Sequence, residues 1–276
     1  MKTYSKKSAF SLIELSIVLI IIGLLVAGIT GGASLIKSAT LRAVMTEARS
    51  YNTAVNSFYV AYNAYPGDYN LDFGGTTASG IAAGFIGDND GKIEFNSGGA
   101  TAITKASAEG FGAIAMLSHN KMITNEIASG SYTTIAATTT GTAGTTLPKS
   151  KVKGAGWIFD YFAGDGVNPG DSVGWKSDFQ NVVLLTTGFT AIGTTATLFK
   201  SSANAETPQG SMNAEDAKSV DLKLDDGLPN TGKVKGFGRS TATPTPVDCI
   251  NGTGGYNEIL AKNNECILTY AVDVTS

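Results

Sequence analysis

Catalytic side chains are scarce in this chain. Its 276 residues include one histidine, His119, and two cysteines, Cys249 and Cys266. His119 has no nucleophile motif beside it and sits in Leu117-Ser118-His119-Asn120-Lys121, which reads as a helix end where a polar or cationic residue is ordinary. One histidine and two isolated cysteines also fall short of the four ligands of a structural zinc site. Charge is sparse too, at 16% Asp, Glu, Lys and Arg with a formal net charge of −3, so there is no footprint for nucleic acid. The two basic stretches, Lys149 to Lys153 and Lys233 to Arg239, are short and read as solvated loop edges. Asp160 and Asp165 come closest to a carboxylate pair for acid–base work, but the sequence places them in Gly-rich turns. No catalytic residue is assigned, and an enzyme is the class these absences disfavour most.

What the chain has instead is a long apolar run near its start. Lys2, Lys6 and Lys7 precede an uncharged, mostly apolar stretch from Leu15 to Ile36. An ordinary secretory signal would be cut near Val26-Ala27-Gly28 or Gly32-Ala33, yet the run exceeds a usual signal core and matches the ~20 residues that span a bilayer. A plain signal anchor fits that length better. Neither explains Glu14 at the head of the run, although a carboxylate in a helix's first turn does complement the macrodipole.

Lys6-Lys7-Ser8-Ala9-Phe10-Ser11-Leu12-Ile13-Glu14-Leu15 resembles the cleavage and methylation segment of the type IV pilin and type II secretion pseudopilin superfamily. The resemblance implies that a prepilin peptidase cuts between Ala9 and Phe10 and methylates the new Phe10 amine, removing the leader lysines and leaving a more acidic protein. Glu14 then becomes the fifth mature residue. Ala9 departs from the glycine usual before the cut. Glu14 is expected to accept from the Phe10 amine of a neighbouring subunit during assembly, since pairing two charges lowers the cost of each in hydrocarbon and sets register. Implied partners are identical or related pilin subunits, the peptidase, an inner-membrane assembly platform, and membrane lipid before assembly. The implied location is the bacterial inner membrane, single-pass with the head in the periplasm, then a pilus or pseudopilus reaching the cell surface in the pilus case. The leading expectation is a structural filament subunit. A pseudopilin of a secretion or DNA-uptake machine and a minor tip pilin acting as an adhesin are the alternatives, with a membrane-anchored hydrolase last.

In an exported chain two cysteines read as one disulfide, Cys249 with Cys266, with reduced structural thiols as the alternative. Comparable C-terminal pairs in pilins staple a surface loop. Leu41, Val44, Ala48, Tyr51, Val55, Phe58 and Tyr62 recur at steps of three and four, which predicts one stripe of a helix continuing from the apolar run, with Arg42, Glu47, Arg49 and Asn52 on the other face. Tyr65-Pro66-Gly67-Asp68 ends it. The aromatic residues around that end read as core packing rather than a conductive path. Further helices are expected at Ala108 to Leu117 and, capped by Asn213, at Asn213 to Leu224, with Gly227 left-handed beyond it. Strands are expected at Gly156 to Phe162, Asn181 to Leu185 and Ile267 to Val272. The organisation is thus a 1–9 leader, a 10–36 membrane helix, its 37–62 amphipathic continuation and a 63–276 head. The fold class is α+β and pilin-like, a long N-terminal helix packed on an antiparallel sheet.

Two acidic loops carry the only site chemistry in the head. Gly87-Asp88-Asn89-Asp90-Gly91-Lys92-Ile93-Glu94 resembles the middle of a calcium loop, with Asp88, Asp90 and Glu94 as candidate ligands around a turn glycine. Ile86 and Ser97 stand where an EF-hand needs acidic residues, so an EF-hand proper is excluded; a plain Asx-rich turn is the simpler account. Asp221, Asp225 and Asp226 form the second loop and read first as a solvated acidic turn. No cofactor is required, with Ca2+ the single candidate.

Overall fold

The computed structural model describes residues 11–70, 85–95, 108–124, 141–162, 180–189, 209–238, 249–251, 254–258 and 266–274. In chain order the elements are α1 (Leu12–Tyr62), α2 (Glu109–His119), β1 (Gly141–Thr142), β2 (Gly156–Phe162), β3 (Gln180–Thr186), β4 (Gly188–Phe189), α3 (Ala214–Leu224), β5 (Val234–Gly238) and β6 (Cys266–Ala271). The chain divides into two compact units, Met1–Thr40 and Leu41–Ser276, so the outer part of α1 belongs to the unit that holds the head.

The described part of the first unit is helix from Leu12 onward. Its apolar window has a mean hydropathy of 2.8 and none of it is buried, making α1 long and apolar enough to cross a membrane. Its hydroxyls bond within the helix: Thr30 Oγ1 donates to the Val26 carbonyl at 3.0 Å and Ser16 Oγ to that of Ile13 at 2.9 Å. That disposes of polar groups hydrocarbon cannot solvate.

In the second unit α1 buries the expected stripe. Val44, Ala48, Tyr51, Val55 and Phe58 are in the core, with Leu41 and Tyr62 half-buried against it. Met45 and Ala54 are buried as well and widen the stripe. Two of the four residues expected on the opposite face bond to the rest of the head instead. Glu47 accepts from Ser150 Oγ at 2.6 Å, Trp157 Nε1 at 2.9 Å and the Lys151 amide at 3.1 Å, because a long side chain at the stripe's margin reaches neighbouring donors. Asn52, also placed there, donates to the Ala271 carbonyl at 3.2 Å, whereas Arg42 and Arg49 are exposed as expected. The helix stops where Asn63 turns left-handed (φ 53°) and Gly67 follows at φ 91°. A side chain on Gly67 would drive a Cβ to 2.3 Å from the Glu109 carbonyl, so position 67 must be glycine twice over.

Helix α1 packs on a four-stranded antiparallel sheet of order β2-β3-β6-β5. Tyr51 sets its ring 5.5 Å from Trp157 and 5.7 Å from Phe159 on β2. Successive residues of β2, Trp157 to Asp160, are all buried, as are those of β3 from Asn181 to Thr186, so both sheet faces are covered and alternation disappears. Asp160 therefore lies within a strand, buried, accepting from the Phe95 amide at 3.2 Å, and not in a Gly-rich turn. Helix α2 buries every residue from Glu109 to Leu117, with Phe111 in a ring cluster with Phe95 and Phe189. Helix α3 is capped as expected: Asn213 Oδ1 accepts from the Asp216 amide at 2.8 Å. Val220 is buried, Leu224 half-buried and Leu222 62% exposed, which settles how three leucine-like positions share a helix that has one buried side. Strand β5 lay within the stretch read as a basic loop edge. Two glycines in Val234-Lys235-Gly236-Phe237-Gly238 hide the strand pattern, and Lys235 is only 2% exposed. Cys249 and Cys266 form the disulfide, at the start of β6.

Candidate functional site

In the head, the acidic loop wraps around two buried carboxylates that lie far from it in sequence. Asp68, just past the end of α1, is 1% exposed; its two oxygens accept from the Asp90 and Gly91 amides, both at 3.0 Å. Glu109, in the first turn of α2, is 2% exposed and accepts from the Glu94 amide at 2.9 Å and the Asp88 amide at 3.4 Å. Asn89 (φ 61°) and Gly91 (φ 89°) supply the left-handed turns that aim these amides inward. Asp88 joins the pair, so that one carboxylate oxygen from each of Asp68, Asp88 and Glu109 lies within 4.8 Å of the others. Asp90 and Glu94 are not in this trio. The Asp90 carboxylate instead accepts from the Lys92 amide and pairs with its ammonium. Burial pushes Asp68 up to about 6, against the pull of the Gly91 and Asp90 amides, with the Asp90 and Asp88 charges pushing the same way as burial. Hard oxygen donors of this kind suit Ca2+ or Mg2+, and they equally serve as anchors for a loop.

Asp221 occupies a similar position on α3. It is buried, accepts from Tyr256 Oη at 2.8 Å and from the Gly227 amide at 3.2 Å, and is pushed up to about 7 chiefly by burial. Tyr256 lies between the two disulfide-bonded cysteines, so this bond ties the C-terminal loop to the helix. Asp225 and Asp226 lie within the same carboxylate group as Asp221 but are exposed. Gly227 is left-handed (φ 78°), as the sequence indicated.

At the N-terminal segment, Glu14 has a partner within its own chain. Its Oε2 accepts from the Ser11 amide at 2.9 Å, while Ser11 Oγ accepts from the Ile13 amide at 3.3 Å. That reciprocal pair is a capping box, with Ser11 at the N-cap and Glu14 at the third helical position. The Ser-x-x-Glu spacing was legible in the sequence. Ala9 and Phe10, the expected cleavage and methylation positions, lie outside the described residues.

Residues 4–30 match the prokaryotic N-terminal methylation motif. Neither a curated protein nor a solved structure matches the chain. The chain therefore carries a prepilin-type processing motif joined to a membrane-length apolar helix, consistent with pilin-like subunits generally and with a single-pass inner-membrane anchor. The motif stops well short of the head, whose carboxylate clusters have to be read from their own geometry.

Proposed function

We propose that this protein is a structural subunit of a type IV pilus-like filament, cut by a prepilin peptidase between Ala9 and Phe10 and polymerised through α1. The observation that supports this best is the methylation motif running directly into the exposed apolar part of α1, whose one carboxylate, Glu14, stands in the first turn. In the single chain the capping box satisfies Glu14 with an amide. In a polymer the methylated Phe10 ammonium of a neighbour offers it a full charge, a stronger partner in a medium that solvates neither group. Exchange of one for the other couples subunit docking to membrane exit. Intact-mass and N-terminal analysis of the mature protein tests the pathway: a start at methyl-Phe10 is expected, and a start near Gly28 or Ala33 returns the chain to ordinary secretion. Sheared surface filaments are the expected location; retention in the envelope assigns a pseudopilin. A further proposal concerns Ca2+ at the loop built on Asp68, Asp88 and Glu109, which millimolar calcium would stabilise against thermal melting. Absence of any shift leaves the carboxylates as loop anchors alone.

A further inference from the structure

The lysine stretch before β2 is a held surface, and the head carries its complement at the far end. Lys149, Lys151 and Lys153 are exposed and alternate with Ser150 and Val152, which turn inward. The backbone is pinned along its length: Ser150 donates its amide to the Ala155 carbonyl (2.9 Å), Ser150 Oγ and the Lys151 amide both bind Glu47, and Pro148 accepts from the Trp157 amide (3.0 Å). Three like charges are thus presented on one side of a fixed strap. Among the described residues neither Lys151 nor Lys153 forms an ion pair. Glu47 lies beneath the strap, held by the Ser150 hydroxyl and the Lys151 amide, while the Lys151 and Lys153 ammonium groups stay exposed on a backbone that needs no ordering to bind.

Strap and acidic loop lie at opposite ends of β2. Trp157, four residues after Lys153, donates to Glu47 on α1. At the other end Lys92 lies 5.6 Å over the Tyr161 ring and the Phe95 amide reaches Asp160. Along α1 the same two ends fall at Glu47 and beyond Tyr62, a span of roughly 22 Å at 1.5 Å per residue. Arg42 and Arg49 add exposed positive charge at the entry end. Asp88 and Asp90, both exposed, lie with Asp68, Glu109 and Asp273 at the other, where Lys92 and Lys121 are the described cations. Among the described residues the head is basic where α1 enters it and acidic where α1 ends.

We infer that in the polymer the lysine strap of one subunit, Lys151 and Lys153 foremost, docks on the Asp88–Asp90 loop of a second copy of this chain. The inference rests on the filament reading proposed above. Parallel subunits stacked along a common axis bring an entry end against a far end, and joining two different surfaces of identical copies builds an open filament when each copy is also displaced along that axis. Opposite charge at the two ends favours that offset and penalises the like-with-like arrangement.

Assembly in cells of full-length chains with the ends reversed tests this. Lys151→Glu with Lys153→Glu is expected to lower filament yield about tenfold, as is Asp88→Lys with Asp90→Lys, and combining all four to restore yield to within about threefold of the parent. Reversed chains that polymerise like the parent, or a four-fold variant no better than its halves, would overturn it. Should a reversed head fail to fold, as read by melting, the parent charges are kept. Lys149→Cys and Ile86→Cys chains, which keep Lys151, Lys153, Asp88 and Asp90, are then co-expressed and their filaments treated with a short bismaleimide, for which a covalent dimer is expected and its absence is decisive against the contact. If the strap reversal instead abolishes binding to anionic vesicles and leaves polymerisation intact, the partner is lipid and the inference is wrong. A mature protein that starts at Gly28 or Ala33 fails the filament reading itself; methyl-Phe10 filaments indifferent to these charges fail only the inference.

Discussion

The two compact units solve opposite problems. From Leu12 to Thr40 the chain is a helix with an exposed apolar surface, and its hydroxyls are answered within the helix. From Leu41 onward most of the described large apolar side chains are buried, and charged groups are buried with them and answered, Asp68, Glu109, Asp160 and Asp221 by amides and a tyrosine hydroxyl. One unit is unfinished without surroundings; the other carries its surroundings inside it. In the proposed filament this division separates the apolar contacts of assembly from the charged ones.

Glu14 is the sharpest place to break that separation. Glu14→Ala removes both the capping bond and the charge, whereas Glu14→Gln keeps a capping acceptor and loses only the charge. If the charge pairs with a neighbouring Phe10 amine, both variants lose filaments in a shearing assay while the head melts at the parent temperature. Filaments from the Gln variant would assign Glu14 to the helix end alone. Phe58→Ala should do the converse, costing the head about 3–5 kcal/mol by thermal melting, since Phe58 is fully buried against Tyr62 and Tyr69, with Phe10 processing unchanged. Replacing Cys249 and Cys266 together with serine should cost about 3 kcal/mol for a closure of 17 residues, read as a lower melting temperature that reductant reproduces in the parent.

The smallest expected effect is on pH. Asp68 and Asp221 rise from an ordinary 3.8 to about 6 and about 7, so the folded head binds their protons more tightly than the unfolded chain does. Their contribution is full below about pH 4 and is lost as pH climbs through 6 and 7. Melting temperature followed from pH 4 to 8 should therefore fall across that window, and Asp221→Asn should flatten its upper part.

How much of this was legible depended on whether the signal was local. The buried stripe of α1, the Asn213 cap and Gly227 follow from spacing within a turn or two, and each is where the sequence put it. Strand β5 was missed because its glycines carry no alternation and its Lys235 reads as solvent-facing, although the sheet covers it. The loop carboxylates show the same limit. Calcium-loop spacing singles out Asp88, Asp90 and Glu94, but the residues gathered with Asp88 come from the end of α1 and the start of α2. Asp68 looked like part of a turn and Glu109 like a helix start; only the packing of α2 on Gly67 brings them together. Glu47 differs again, since its partners are a tryptophan and a loop about a hundred residues away.

The order of the strands has a consequence for how the head is made. β6 is the last described strand in the chain, yet it lies inside the sheet, paired to β3 on one side and β5 on the other. Asn52 on α1 waits for the carbonyl of Ala271, 219 residues later, and Tyr65 for the amide of Val274. Until those residues emerge, the sheet has a gap at its centre, and contacts this distant close slowly. A chain threaded across a membrane would thus stay translocation-competent until β6 had passed, and the head would snap shut only then.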